Sequence, residues 1–357
     1  MFYFLYLFNP NINLLQYISV RAGAALLTSF LICLIFGNRF IDWLKSKQHD
    51  GQPIRSYGPE THLKKKGTPT MGGLLMLIAV GISTVFWGNL ANPYIWILLF
   101  SMMGYGLLGL IDDYTKLTQH SAEGISSRAK LLAQFAIALV VCCALVILEK
   151  GSMATALSIP YLKNVTIDLW WFYIPFAMVV LVGASNAVNL TDGLDGLVSF
   201  PLIMATFVFM VIAYLVGRID YSEYLRLHYV FGAGEISVFA AAMIGALMGF
   251  LWFNAYPAKM FMGDTGSLAF GGVLGTMAVA VKHEIVLVVA GGLFVIEALS
   301  VIIQLTSWRY RGRPFFQMAP LHHHFEKLGV PETTLVVRFW MISILLALVA
   351  LSSLKIR

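Results

Sequence analysis

The chain has 357 residues, of which 59% are hydrophobic and only 12% charged, and its formal net charge is +6. Soluble globular domains carry about a quarter charged residues, so this composition excludes an ordinary soluble protein. Three cysteines, Cys33, Cys142 and Cys143, lie inside apolar runs, where they act as fillers and imply no disulfide framework.

The N-terminal stretch MFYFLYLFNPNINLLQY has no Lys or Arg before Arg21. A secretory signal needs a basic start and a small-residue cleavage site; this aromatic segment suits the membrane–water interface instead. Apolar runs follow at 20–37, 71–88, 94–111, 130–148, 170–188, 200–216, 236–253, 266–281, 285–307 and 335–354. Each is close to the length that crosses a bilayer as a helix. Together they use over half of the chain, so no large soluble domain fits. The expected fold is all-α, a polytopic membrane protein with about ten transmembrane helices in one domain over residues 1–357. There is no internal repeat and no low-complexity segment.

Lys and Arg settle the expected orientation. Fourteen fall in the loops after the odd-numbered runs and seven on the opposite side. The positive-inside rule then puts the first set in the cytoplasm and both termini outside. On that topology four polar motifs share the cytoplasmic side: GLIDDYTK with Asp112 and Asp113, NLTDGLDGL with Asp192 and Asp195, AKMFMGDTGS with Asp264, and APLHHHFEK with His322, His323 and His324. The short, glycine-rich eighth run decides the parity; without it the histidine loop would change sides.

An isolated Asp beside a helix end is explained by capping. Asp112 and Asp113 resist that reading as a pair, since adjacent carboxylates repel and a cap needs one. Asp192 and Asp195 are spaced to face the same way on a helical turn, with glycines that allow close approach of a ligand. GDTGS puts Gly263, Asp264 and Thr265 at a helix N-terminus, where free N–H groups favour anions. Clustered Asp without Cys suits a hard divalent cation, Mg²⁺ above all, which arrives with phosphate oxygens. Lys and Arg around it would screen the remaining phosphate charge, as phosphoryl transfer requires. At the membrane surface one substrate can be a lipid phosphate and the other a soluble nucleotide. Zinc fits poorly, because adjacent histidines diverge and no Cys stands nearby. RYRGRPFFQMAP, with Phe315 and Phe316, reads either as a membrane-surface anchor or as a substrate-contacting arm. Glu297, the one acid well inside a run, is a functional suspect of open role.

At these motifs the chain resembles the phospho-N-acetylmuramoyl-pentapeptide transferases. KKKGTPTMGG, GLIDDYTK, NAVNLTDGLDGL, FNAYPAKMFMGDTGS and APLHHHFE occur in that family's order over essentially the full length. The resemblance implies transfer of phospho-N-acetylmuramoyl-pentapeptide from UDP to undecaprenyl phosphate with release of UMP, dependence on Mg²⁺, and a homodimer in the bacterial cytoplasmic membrane. No nucleic-acid partner is expected. By the same resemblance Asp264 looks like the Mg²⁺ ligand, and Asp112 and Asp113 like the catalytic pair. Phe261 looks like the platform on which uracil stacks, near Lys65 and Asp195. Thr70, Asn189, Asp192 and Gly263 resemble the adjoining nucleoside pocket, and His322, His323 and His324 the histidine motif at the site's edge. A sibling transferase that moves N-acetylglucosamine phosphate would share the Asp motifs but tends to vary the histidine run. An ion-coupled transporter would place its acids near the midplane, where only Glu297 falls.

Overall fold

The computed structural model describes residues 2–3, 13–48, 67–119, 124–149, 153–162 and 165–355. Thirteen α-helices follow in chain order among the described residues: α1 Ile18–Lys47, α2 Gly73–Trp87, α3 Pro93–Thr118, α4 Ser127–Leu148, α5 Tyr173–Thr191, α6 Ser199–Val216, α7 Ile219–Leu225, α8 Ile236–Asn254, α9 Gly263–Ala280, α10 Glu284–Ala290, α11 Gly292–Arg311, α12 Leu321–Lys327 and α13 Glu332–Ser352. One short hairpin, β1 Ala156–Ser158 against β2 Thr166–Asp168, pairs Leu157 with Ile167. The all-α, multi-pass expectation holds.

Eight of these helices are long and apolar enough to cross a membrane, and α2 is a shorter apolar helix of 15 residues. The remaining predicted run became α9, which is less apolar because lipid is not its neighbour. Every residue from Thr265 to Ala280 is buried, packed mainly between α3 and α5 with α2 alongside. A helix surrounded by protein can exchange large apolar side chains for small ones that let backbones approach. The Ser101 and Thr276 hydroxyls, 2.8 Å apart, link α3 to α9, and Ser185 donates to the Leu268 carbonyl at 3.0 Å from α5. Most of α8 is buried as well, against α1 and α6.

Three predicted boundaries differ from the fold. The run at 20–37 continues to Lys47. The run at 285–307 is two helices, α10 and α11, separated at Gly291; consecutive glycines there lower helix propensity enough to permit the break. The run at 94–111 continues to Thr118, so Asp112 and Asp113 belong to a helix rather than a loop. Hydropathy ends where charge begins, but a helix does not, provided its charges find partners.

At the end of the bundle formed by the start of α1 and the end of α2, Arg21 is buried against Glu235 through two contacts at 2.8 and 2.5 Å. It also donates to the Trp87 carbonyl at 3.1 Å, while Glu235 accepts from Asn89 N at 3.0 Å. The described cysteines are all free, with Cys33 and Cys142 buried and Cys143 half-buried. Of the interfacial N-terminal segment, most lies outside the described residues.

The crossing of α3 and α9 is closest at Gly109, where a Cβ would collide with the Asp264 carbonyl. Gly109→Ala is expected to lower stability by about 1–3 kcal/mol, the usual cost of overpacking. Gly81→Ala on α2, with nothing within 4 Å of the added carbon, should leave stability equal or slightly higher. Thermal unfolding in detergent separates the two; equal loss in both would contradict the close α3–α9 contact.

Candidate active site

The last turns of α3 carry two adjacent carboxylates that diverge. Asp113 faces the N-terminus of α9. Its oxygens accept from Asp264 N at 3.1 Å, Thr265 N at 2.9 Å and the Thr265 hydroxyl at 2.7 Å. It thus satisfies first-turn donors that no α9 carbonyl can reach, acting as a cap supplied by another helix. Asp112 faces the other way. It accepts from Ile125 N at 2.8 Å and stands 2.7 Å from the Lys116 ammonium and 3.3 Å from that of Lys130.

Those two lysines close the site. Each also reaches Asp264, Lys116 at 3.1 Å and Lys130 in a shorter contact. The other Asp264 oxygen accepts from Asn189 Nδ2 at 2.9 Å, and the same amide lies 2.8 Å from Ser267 Oγ. Two carboxylates and two ammoniums therefore share one small volume where α3, α4 and α9 meet, with α5 supplying Asn189. Lys116 and Lys130 counted only as loop cations in the sequence. A signal existed for Lys116, which follows Asp112 at the i,i+4 spacing that pairs charges on a helix. None existed for Lys130, which is 134 residues from Asp264.

Asp192 ends α5 as its C-cap residue. Burial, then the carboxylates of Asp264, Asp113 and Asp195, push its carboxyl up to about 8. Asp195 follows in a series of turns rather than on a continued helix. Asp195 Oδ2 accepts from Ala258 N at 2.9 Å, and its own N–H donates to Glu332 at 2.8 Å. Its carboxylate holds the loop that leads to Phe261. That loop is joined to the segment before α2: Phe261 N donates to Pro69 O, and Gly72 N to Phe261 O, both at 2.8 Å. Thr70 is pinned through its backbone by Gln48, at 3.0 and 3.1 Å. Its buried hydroxyl has no partner among the described residues. Gly263, at φ +73°, sits against both Asp113 and Thr70; a Cβ there would lie 2.6 Å from Asp113 Oδ2 and 2.8 Å from the Thr70 hydroxyl. Lys65 lies outside the described residues.

The three histidines lie on α12 rather than in a loop. His322 is fully buried; its N–H donates to Glu297 at 3.2 Å, and its Nδ1 is 3.2 Å from Glu297 Oε2. The ring's other nitrogen abuts Gly193, where any Cβ would collide with it. Glu297, whose role the sequence left open, is thus the buried acid that seats α12 beside the Asp192 turn. His323 Nδ1 lies 3.1 Å from Glu326, and His324 Nδ1 accepts from Gln317 N at 3.2 Å. The His322 and His323 rings do not diverge as expected but stand 4.2 Å apart between centroids; even so, among the described residues no group of three or more His, Cys, Asp or Glu is placed to hold a metal by itself. The Arg-rich arm folds back on α11, its Phe315 and Phe316 amides donating to Gln304 at 3.0 and 2.9 Å.

The pattern of glycosyl transferase family 4 matches residues 95–282, and signature 1 of the phospho-N-acetylmuramoyl-pentapeptide-transferases matches residues 65–77. A phospho-N-acetylmuramoyl-pentapeptide-transferase of Rhodopseudomonas palustris (strain BisA53) is 51% identical over 348 residues, covering 98% of this chain and 97% of its own. One of Granulibacter bethesdensis (strain ATCC BAA-1260 / CGDNIH1) is 54% identical over 346 residues, covering 97% and 96%.

Two outcomes follow from this geometry. Asp192 has an ordinary value of 3.8, raised in the fold to about 8. The fold then favours the protonated form, and the stability this contributes is lost as pH rises between those values. In metal-free protein, Asp192→Asn should shrink the fall in thermal midpoint between about pH 5 and about pH 8.5; an unchanged fall would contradict the burial of this carboxyl among acids. Glu297→Leu should cost about 1–3 kcal/mol, because it strands the buried His322 N–H. Glu297→Gln, which keeps an acceptor, should recover part of that loss in the same unfolding measurement.

Proposed function

The chain belongs to the phospho-N-acetylmuramoyl-pentapeptide transferases, and on that premise we propose that it moves phospho-N-acetylmuramoyl-pentapeptide from UDP to undecaprenyl phosphate, releasing UMP and forming the first lipid-linked precursor of peptidoglycan. The observation that carries the reading is the charge-balanced group of Asp112, Asp264, Lys116 and Lys130. It is built to exchange its internal pairs for phosphate contacts. Each ammonium that turns to a phosphate oxygen screens the repulsion between two anionic substrates.

Around Asp264 stand the Asn189 amide and the Lys116 and Lys130 ammoniums, which would turn to phosphate when a metal takes the carboxylate, and the described residues form no protein-only cage. That suits Mg²⁺, which takes one or two carboxylates and completes its shell with phosphate oxygens and water. Asp264 would hold it, oriented by Asn189, and bound there it would supply charge neutralisation at the diphosphate. Asp112 keeps the lipid phosphate deprotonated, or takes its proton. A lipid phosphate oxygen attacks the β-phosphorus, one P–O bond forms, the bond to UMP breaks, and UMP leaves. Both Asp113 oxygens are occupied by α9 donors, which favours direct displacement over a covalent Asp113 and gives that residue a positioning role. Thr70, Asn189, Asp192, Asp195, Phe261 and Gly263, with Lys65 from the signature segment, would form the nucleoside side, and His322 to His324 its edge.

An apolar groove of about 240 Å³ runs along α5 from Val188, next to Asn189, between α10 and α11. It offers a prenyl chain a path away from the phosphates. The Lys and Arg distribution supports a site on the cytoplasmic face of the cytoplasmic membrane with both termini outside; the family resemblance supports a homodimer. The transporter reading loses its one candidate, since Glu297 is tied to His322.

UMP release by the purified chain is the direct test. Release is expected with UDP-N-acetylmuramoyl-pentapeptide, undecaprenyl phosphate and Mg²⁺ together, and not with UDP-N-acetylglucosamine or after chelation. Asp264→Asn and Lys130→Ala should each lower kcat about 100-fold or more. Equal release from both UDP-sugars would move the chain to the sibling activity; full activity under chelation would remove Mg²⁺.

A further inference from the structure

The groove has one feature that a prenyl chain does not use. Glu284 is the single ionisable residue among those lining it, and it is only 2% exposed. One of its oxygens accepts from the Tyr173 hydroxyl. That hydroxyl in turn accepts from the Lys282 ammonium at 3.1 Å, and Lys282 also donates to the Ala154 carbonyl at 2.7 Å. The donor sequence from Lys282 through Tyr173 makes Glu284 an acceptor. Its second oxygen, Oε2, is buried and has no hydrogen-bond partner among the described residues. A buried acceptor left unmade is costly, so this oxygen marks a place for one donor.

We propose that the groove binds a neutral long-chain alcohol, its hydrocarbon along α5, α10 and α11 and its hydroxyl donating to Glu284 Oε2. The chemistry selects the class. An anionic head would meet the carboxylate. A cationic head would bring a second positive charge beside Lys282 in apolar surroundings. The neighbouring acid, Glu149, already has its own partners in His228 at 3.6 Å and Tyr94 at 3.5 Å. A hydroxyl adds the missing donor and no charge. Access is lateral: Val179, Val288 and Leu299 line the groove and are more than a third exposed, so a ligand dissolved in the bilayer reaches it without crossing water. The opposite end stops at Val188, one residue from Asn189, so an occupant would lie across the path assigned above to the carrier's chain; only this competition rests on the transfer reading.

The test uses the full chain in phosphatidylcholine nanodiscs, with geranylgeraniol, its methyl ether and geranylgeranylamine as probes, and binding read by native mass spectrometry without nucleotide or carrier. The alcohol is expected to bind about tenfold tighter than the ether, the scale of one hydrogen bond to a buried acceptor. That preference should vanish in Glu284→Leu and weaken in Glu284→Gln, which keeps the side chain's shape if the leucine variant does not fold. Gly183→Leu, at a groove position with nothing within 4 Å of an added carbon, should block all three probes. Equal binding of alcohol and ether, a tighter amine, a preference that survives at both Glu284 variants, or no binding at all would each overturn the proposal. In turnover the alcohol should raise KM for undecaprenyl phosphate with kcat unchanged. Binding without that competition would uphold the alcohol site and take the carrier's chain out of the groove.

Discussion

The rest of the site depends on the Asp113 carboxylate seated on the first turn of α9. A helix N-terminus buried in a membrane protein presents N–H groups that water cannot reach, and leaving them unmade is expensive. Asp113 meets two of them and the Thr265 hydroxyl at once. It thereby locks the end of α3 to the start of α9, and the glycine at 109 lets the backbones come close enough for that lock. Since Asp112 precedes Asp113 and Asp264 is itself part of the capped turn, one interaction sets the separation of the two carboxylates that face the lysines.

Charge balance follows from that separation. Two acids this close, largely removed from water, repel strongly, and burial magnifies the cost. Lys116 and Lys130 answer it by bridging both. Such a group is stable without substrate and still prepared for it, because the ammoniums exchange carboxylate for phosphate oxygen with little change in net charge. Asp192 stands at the margin of the same field, and burial first, then the carboxylates of Asp264, Asp113 and Asp195, raise its carboxyl. The site therefore combines a paired core with one acid whose carboxyl is raised by burial and by its acidic neighbours.

The membrane-facing architecture uses polar pairs sparingly and at defined joints. Arg21 with Glu235 ties the start of α1 to the approach to α8, and Glu297 with His322 ties α11 to α12. Both are buried pairs in which removing one partner strands the other, so they specify which elements meet more than they add to stability. The break between α10 and α11 at Gly291 opens the lateral groove beside α5. Val179, Val288 and Leu299 leave that groove open to the side.

Composition and the lengths of the apolar runs were enough to establish an all-α, multi-pass chain, because a bilayer admits few solutions to the backbone hydrogen-bonding problem. The motifs were enough to recognise the family and to draw attention to Asp112, Asp192 and Asp264 as acids between apolar helices, while Asn189 entered only through the resemblance. Several things were not legible. Hydropathy ended the third run before Asp112, whereas α3 continues because its charges are partnered. It undervalued α9, whose surroundings are protein and not lipid. It could not divide the labour between Asp112 and Asp113, Lys130 showed no sign of its place beside Asp264, and Glu297 had no partner until α12 folded against it. These decisions belong to tertiary structure for one physical reason. Each depends on a partner remote in the chain, 134 residues away for Lys130 and Asp264 and 151 for Asp113 and the α9 terminus, and local sequence carries no trace of a contact made only when helices pack.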